Sequence, residues 1–404
     1  MNPVPGFPRT VLAWALFDLA NTFFAVAMLS FYFPLWVVED RGAKELALSL
    51  AVGGSMACVG LLMPFCGAVS DALGQRMRFL RWTTYGCTAA TALIGFTPHL
   101  GLALLLFGIA NICYQLGTVF YDALLWTVAS PGRLGRTSGI GAAFGYLGST
   151  LGLLLLWPFV RLGGHQAAFA PSAVFFLLFA LPSFLLIREP PGPARSVAWR
   201  QLTKTAALRL AMTLRSARSL GGLWRYFWAA FFSQNAINTV LIFMGVYTRK
   251  VLGFSEGRII AFFVFSQMFS VAGALTFGAW TSRWGAKRTL IGIWSGWMVA
   301  LGLVAAGPSV HWIWAAGPLI GFCLGSTWAT SRVLVMELSP KDQLAEMFGL
   351  AGLFARLSAI LGPLIWGLLV WDPARYRHGL LFLIGLLAVG LALLRRVPEP
   401  RAAS

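Results

Sequence analysis

An all-α polytopic membrane protein, with twelve transmembrane helices in two pseudo-symmetric six-helix bundles, is the fold class that three features of this 404-residue sequence predict. The first is composition: 58% of residues are hydrophobic and 11% charged, with a mean hydropathy of +0.76. That balance excludes an ordinary soluble domain. The second is a train of apolar runs. About twenty apolar residues cross a bilayer core as a helix, and by that ruler there are twelve candidates: 11–38, 46–70, 79–97, 101–128, 138–160, 168–187, 224–248, 258–280, 288–307, 312–336, 346–370 and 378–394. None shows the period-2 alternation of a barrel strand. The third is a duplicated motif. Gly67-Ala-Val-Ser-Asp71-Ala-Leu-Gly74-Gln-Arg76 lies between runs two and three, and 211 residues later Gly278-Ala-Trp-Thr-Ser282-Arg-Trp-Gly285-Ala-Lys287 lies between runs eight and nine. Each copy is expected to be a short basic loop. Gly67 and Gly74 suit a tight turn with close helix approach, and Asp71 can cap the following turn or hold the nearby arginines, Arg76 among them. In the second copy Ser282 replaces the acid.

The net charge of +18 invites a nucleic-acid partner, but its distribution points to a membrane surface. With the amino terminus inside, the cytoplasmic segments hold 21 of the 31 Lys and Arg residues, the outer loops hold eight, and Arg332 and Arg356 fall inside runs. This bias fits the positive-inside rule and places both termini in the cytoplasm of a cell inner membrane. An anionic leaflet, and no nucleic acid, is the expected partner of these charges. The first run follows a short, singly charged leader and is read as a retained helix, not a cleaved signal peptide. Cys58, Cys66, Cys87, Cys113 and Cys323 lie within or near apolar runs with no C-x-x-C pair, so they are expected to be packing residues.

Run one carries Trp14, Asp18, Asn21 and Ala25 at three-and-four spacing, which is one helical face. A central carboxylate facing lipid costs about 2.5–3.5 kcal/mol on insertion scales, so Asp18 belongs in a bundle interior or a wet cavity. Run four repeats the device with Asn111, Gln115, Thr118 and Asp122 in one stripe beside Tyr121. Both faces are read as cavity lining, with a helix-packing hydrogen bond as the alternative. Run five is rich in glycine, at Gly139, Gly141, Gly145, Gly148 and Gly152, which permits close backbone approach. Then comes the one long interruption. Pro190-Pro-Gly-Pro193 breaks any helix, and Trp199 to Leu220 is a basic, partly amphipathic segment expected along the cytoplasmic surface. Three domains follow: an N-terminal six-helix bundle over 1–187, a cytoplasmic linker over 188–222 and a C-terminal six-helix bundle over 223–404.

In the second half, run seven carries Gln234, Asn235, Asn238 and Thr239, and Gln267 sits midway along run eight. Neutral amides donate and accept, which suits a polar or zwitterionic solute, and they serve equally as helix–helix bonds. Aligning Gly139 with Gly349 and Gly152 with Gly362 gives an offset of 210, on which Asp122 corresponds to Arg332 and Tyr146 to Arg356. Intramembrane carboxylates thus belong to the first half and intramembrane guanidinium groups to the second. A desolvated pair that loses one partner is strongly destabilised, so Asp122 with Arg332 or Arg356 is expected to form a gate ion pair or a clamp for a substrate carboxylate. His99, His165, His311 and His378 fall at helix starts on the outer side and read as interfacial polar residues, with no metal site expected. The chain has no P-loop, G-x-S-x-G, H-E-x-x-H or clustered catalytic His and Cys, which points away from an enzyme and from a cofactor.

The pattern Gly67-x-x-x-Asp71-x-x-Gly74-x-Arg76 resembles the signature between helices 2 and 3 of major facilitator superfamily transporters, with Ala72 where that signature usually has arginine. Two copies half a chain apart match the two similar halves of that fold. Trp14 to Phe24, Tyr121 to Gly148, Val251-Leu-Gly253-Phe254-Ser255, Gly285-Ala-Lys287-Arg288 and Phe348-Gly349-Leu350 through Gly362-Pro363-Leu364 together resemble its Atg22-like (UMF1) branch. The resemblance implies the major facilitator fold and a secondary active transporter working by alternating access, a monomer without cofactors. It further implies efflux of a small polar solute, an amino acid or related metabolite. Asp18, Asn21, Asn111, Gln115, Asp122, Gln234, Asn238 and Gln267 are the candidate substrate or coupling-ion residues, with protons as one coupling ion through Asp18 or Asp122. Two other readings stay open: an exporter of an amphipathic drug, lipid or metal ion, and a non-transporting membrane receptor or scaffold.

Overall fold

The computed structural model describes residues 9–43, 45–130, 132–189, 214–307, 309–370 and 376–399. Among them are twelve long helices and no strand: α1 (Arg9–Asp40), α2 (Glu45–Leu73), α3 (Arg76–Phe96), α4 (Leu100–Val128), α5 (Leu134–Gly163), α6 (Phe169–Leu186), α7 (Gly221–Lys250), α8 (Glu256–Trp284), α9 (Ala286–Ala306), α10 (Val310–Leu338), α11 (Leu344–Leu369) and α12 (Tyr376–Arg395). Each expected run falls on one helix. Ten of the helices are long and apolar enough to cross a membrane, because a helix satisfies its own backbone polar groups where no water can. Most of the basic segment expected over Trp199 to Leu220 lies outside the described residues.

α1 is not uniform. It is α-helical over Arg9–Phe24, widens to π-turns over Ala25–Ser30 and Trp36–Asp40, and breaks helical geometry at Phe31 (φ −134°, ψ −75°) between them. Pro34, just past the break, has no N–H to return to the preceding turn. Such wide turns disturb the regular hydrogen-bond ladder.

The two motif copies form shorter turns than expected. α2 continues through Asp71 to Leu73, so Gly74 and Gln75 alone reverse the chain; α8 continues to Trp284, and Gly285 alone does so. Gly74 (φ +60°) and Gly285 (φ +85°) take backbone angles that other residues adopt only with strain. The expected loop over Gly67–Arg76 is corrected accordingly. Gly67 is a helix-packing residue in α2, not a turn residue.

The chain forms two compact units that are not simple halves. Unit one is Met1–Ser130, Phe144–Leu210 and Lys341–Gly349; unit two is Pro131–Ala143, Ala211–Pro340 and Leu350–Ser404. Against the contiguous bundles expected over 1–187 and 223–404, the first turns of α5 pack with unit two and those of α11 with unit one. Glycine is the reason. A Cβ on Gly67 would strike the Ala345 carbonyl oxygen and one on Gly349 the Met63 carbonyl. In unit two a Cβ on Gly139 would strike the Ala274 carbonyl oxygen and one on Gly135 the Gly278 carbonyl. Small residues let backbones approach this closely, and that contact is the main attraction between helices in lipid.

Aromatic side chains fill the core of unit one. Trp14 stacks on Tyr121 with centroids 4.4 Å apart, and Phe33 on Phe107 at 4.6 Å. In unit two Trp294, Trp297 and Tyr226 are fully buried. Leu61, Leu105, Leu162, Val264, Met268 and Leu368 are exposed, as outward faces of helices solvated by lipid should be.

Candidate functional site

In unit one, α1 presents Asp18 to α5. The half-buried carboxylate lies against Gly145, where a Cβ would come within 3.3 Å of Cγ. One turn further, Gly148 packs on the Leu19 backbone and the Thr22 hydroxyl, and Gly152 on Phe23 and Val26. The acid therefore sits in a glycine-lined helix crossing. On the same α1 face Asn21 is buried, and the indole Nε1 of Trp14 donates to the Tyr121 carbonyl at 3.1 Å. This holds α1 to α4 beside the half-buried Asp122.

The α4 stripe divides in two. Asn111 and Gln115 are buried; Asn111 Nδ2 donates to Ser55 Oγ of α2 at 2.8 Å, and Gln115 Nε2 donates to Asn111 Oδ1 at 3.4 Å. Asn111 thus ties α4 to α2, and Gln115 bonds back along α4. Thr118 and Asp122, further along, are half-buried. In unit two Gln234, Asn238, Gln267, Arg332 and Arg356 are all half-buried on α7, α8, α10 and α11. Asn238 Nδ2 reaches Ser358 Oγ at 3.5 Å, and Asn235 donates to the Phe231 carbonyl at 2.8 Å. Asp122 belongs to unit one, Arg332 and Arg356 to unit two.

The motif acid does more than hold one arginine. Asp71, 3% exposed, accepts from Arg76 Nε at 2.7 Å through Oδ1 and from the Glu346 backbone N–H at 2.9 Å through Oδ2. It thus caps the start of α11, where a negative charge meets unsatisfied N–H groups and the positive end of the helix dipole. Arg76 also donates to the Lys341 carbonyl at 3.2 Å, and the Lys341 ammonium lies 4.6 Å over the Trp126 ring. The second copy keeps the geometry without the charge: Ser282 Oγ accepts from the Arg136 backbone N–H at 3.0 Å, at the start of α5.

A family model described as "Vacuole effluxer Atg22 like" matches residues 129–404. The chain belongs to that family. A relative from Aquifex aeolicus (strain VF5), described as an uncharacterized protein, is 27% identical over 369 residues, covering 90% of each chain. An uncharacterized MFS-type transporter, YxiO, of Bacillus subtilis (strain 168) is 23% identical and covers 97% of this chain and 96% of its own. Among solved structures, the human organic anion transporter MFSD10 superposes with a TM-score of 0.75 at 17% identity, covering 97% of this chain and 100% of its own. The last likeness shows the major facilitator fold. This Atg22-like chain is a multi-pass membrane transporter of the major facilitator superfamily.

In the Atg22-like chain, some contributors to these geometries escaped the sequence reading. Ser55, Glu346 and Arg136 act through a hydroxyl or a backbone N–H whose partner lies on a distant helix. Ser339-Pro340 before α11 marks a helix start, yet nothing local says that Asp71 will cap it. His165 Nδ1 meets both Asp40 carboxylate oxygens at 2.9 Å, joining the end of α1 to the α5–α6 connection. Among the described residues no group of three or more His, Cys, Asp or Glu could hold a metal.

Proposed function

We propose that this Atg22-like transporter exports a small polar solute, an amino acid or related metabolite, by alternating access. The observation that carries this reading is the set of polar groups on membrane-spanning helices. Asp18 and Asp122 are half-buried in unit one, and Gln234, Asn238, Gln267, Arg332 and Arg356 are half-buried in unit two. Ionisable groups within the membrane are costly and mark solute or ion pathways, and amides match the donors and acceptors of a zwitterion. A purely lipophilic cargo would need none of them. The efflux direction is supported by the family description alone.

In this reading Asp18 or Asp122 carries a coupling proton, and Asp122 with Arg332 or Arg356 acts as a latch or holds a substrate carboxylate. The charge distribution supports an inner-membrane protein with both termini in the cytoplasm. The test uses purified protein in liposomes loaded with a pH-sensitive dye and offered pooled amino acids and dipeptides. Solute-dependent proton movement, lost in Asp122→Asn, is the expected result. Solute exchange without proton movement would remove the coupling and keep the cargo. Silence with every pool would overturn the amino-acid reading. An Asp122→Arg/Arg332→Asp exchange that leaves flux like wild type, with each single change also silent, would remove the latch.

A further inference from the structure

The ends of α6 and α12 are equivalent in sequence and unequal in structure. Ile187-Arg188-Glu189 follows α6, and Val397-Pro398-Glu399 stands 210 residues later after α12. In unit two Glu399 neutralises a side chain, accepting from Arg288 Nε at 2.8 Å and Nη2 at 3.0 Å. In unit one Glu189 turns to the start of α3 and accepts from the Met77 backbone N–H at 3.0 Å. Arg78, the counterpart of Arg288, is exposed and donates to the neutral Gln75 side chain at 3.2 Å. One turn along α3, Arg81 donates to the Phe184 carbonyl, and its Nε is buried with no hydrogen-bond partner among the described residues. Arg188 is exposed. Among the described residues none of these three arginines is within salt-bridge distance of a carboxylate.

Directly below this basic rim the surface turns apolar: Trp82 is 66% exposed, Tyr85 42% and Leu185 73%. The α3–α6 pairing is set by Arg81 on Phe184 and by the Tyr85–Phe184 ring contact at 5.8 Å. Unit two keeps only Arg288 of this arrangement, with Ile291, Gly292, Ser295 and Pro398 at the positions of Arg81, Trp82, Tyr85 and Arg188. Guanidinium groups bind phosphate oxygens through paired N–H donors. Exposed Trp and Tyr sit at the headgroup level of a bilayer, and polybasic segments at the membrane surface recruit anionic lipids.

We propose that this end of the α3–α6 pair is a docking site for an anionic phospholipid. The headgroup phosphate lies on Arg78, Arg81 and Arg188, and the acyl chains run along Trp82, Tyr85 and Leu185. The exposed apolar half of the surface has no role for free phosphate, and a zwitterionic lipid would leave the basic rim unneutralised. Native mass spectrometry of the full chain in mild detergent tests this with phosphatidylglycerol, phosphatidylcholine and inorganic phosphate. Wild type should retain phosphatidylglycerol at least tenfold more tightly than phosphatidylcholine. Arg78→Gln/Arg188→Gln, at two exposed positions, should lose that preference; Arg78→Lys/Arg188→Lys should restore part of it, and Arg288→Gln should leave it intact. Equal retention of both lipids, an unchanged preference in the double Gln variant, an equal loss in Arg288→Gln, or displacement of the lipid by millimolar phosphate would each overturn the proposal.

Discussion

Helices α2 and α4 in unit one and helices α8 and α10 in unit two are counterparts, and they solve the same packing problem in opposite ways. α4 carries Asn111 bonded to Ser55 of α2, flanked one turn away on either side by Phe107, which stacks on Phe33 of α1, and Gln115, which donates to Asn111. At the corresponding positions α10 carries Gly317, Gly321 and Gly325. A Cβ on Gly321 would strike the Ser266 carbonyl oxygen, one on Gly325 the Ser270 carbonyl oxygen, and one on Gly317 the Phe262 ring at 2.6 Å. At Gly321 and Gly325 the contact sets backbone on backbone and leaves no side chain to adjust. The amide contact keeps the helices a side chain apart and supplies groups that can re-pair. At this helix pair, duplication has kept the topology and exchanged an amide contact in unit one for a glycine contact in unit two.

The largest effect should come from filling the glycine contact. Gly321→Ala should cost about 2–3 kcal/mol, the upper part of the usual range for overpacking, read as loss of thermal stability and of a monodisperse elution profile in detergent. A cost under about 0.5 kcal/mol would mean that α8 and α10 can separate as freely as α2 and α4, since surface-like tolerance is of that size. The two motif copies come next. Asp71→Asn weakens a buried charge-assisted pair and a helix cap, for about 1–2 kcal/mol, whereas Ser282→Ala removes an uncharged cap and should cost about half as much. Equal costs would show that the charge adds nothing to the cap.

The amide ladder follows. Asn111→Ala should cost about 1 kcal/mol, in line with hydrogen bonds between membrane helices, and a double-mutant cycle with Ser55→Ala should show most of that as coupling. A purely additive cycle would remove the ladder from the comparison.

The smallest effect concerns Glu189 and Glu399, whose pH dependences should have opposite signs. Burial pushes the Glu189 carboxyl above its ordinary value of 4.5, against the opposing pull of the Met77 N–H and of Arg76. The hydrogen bond from Arg288 draws Glu399 below 4.5, with the arginine charge assisting. A raised acid holds its proton more tightly in the folded chain, so its contribution is present below the ordinary value and lost as pH rises through the folded value. A lowered acid contributes above the ordinary value, and that contribution is lost as pH falls through the folded value. Melting temperatures taken across the carboxylate range should therefore show Glu189→Gln removing the first slope and Glu399→Gln the second. Slopes of one sign would undo the contrast between the two acids.

Most of the fold was legible in the sequence because the bilayer imposes a local rule. A span needs an apolar run of bilayer length whatever its neighbours are, so hydropathy marked all twelve helices. A repeated ten-residue motif marked the duplication. The candidate residues Asp18, Asp122, Arg332 and Arg356 were legible for the same reason, as charges where charge is costly. Tertiary structure decided what each polar group does. Asp71 and Ser282 read as loop residues until the starts of α11 and α5 came to lie beside them. Asn111 read as cavity lining or as a helix-packing bond, and Ser55 of α2 supplies such a bond. Glu189 and Glu399, identical in sequence position, parted because one faced a backbone N–H and the other a guanidinium. Hydropathy is a property of a segment, whereas close approach and pairing belong to two segments at once, and only the packed helices bring those together.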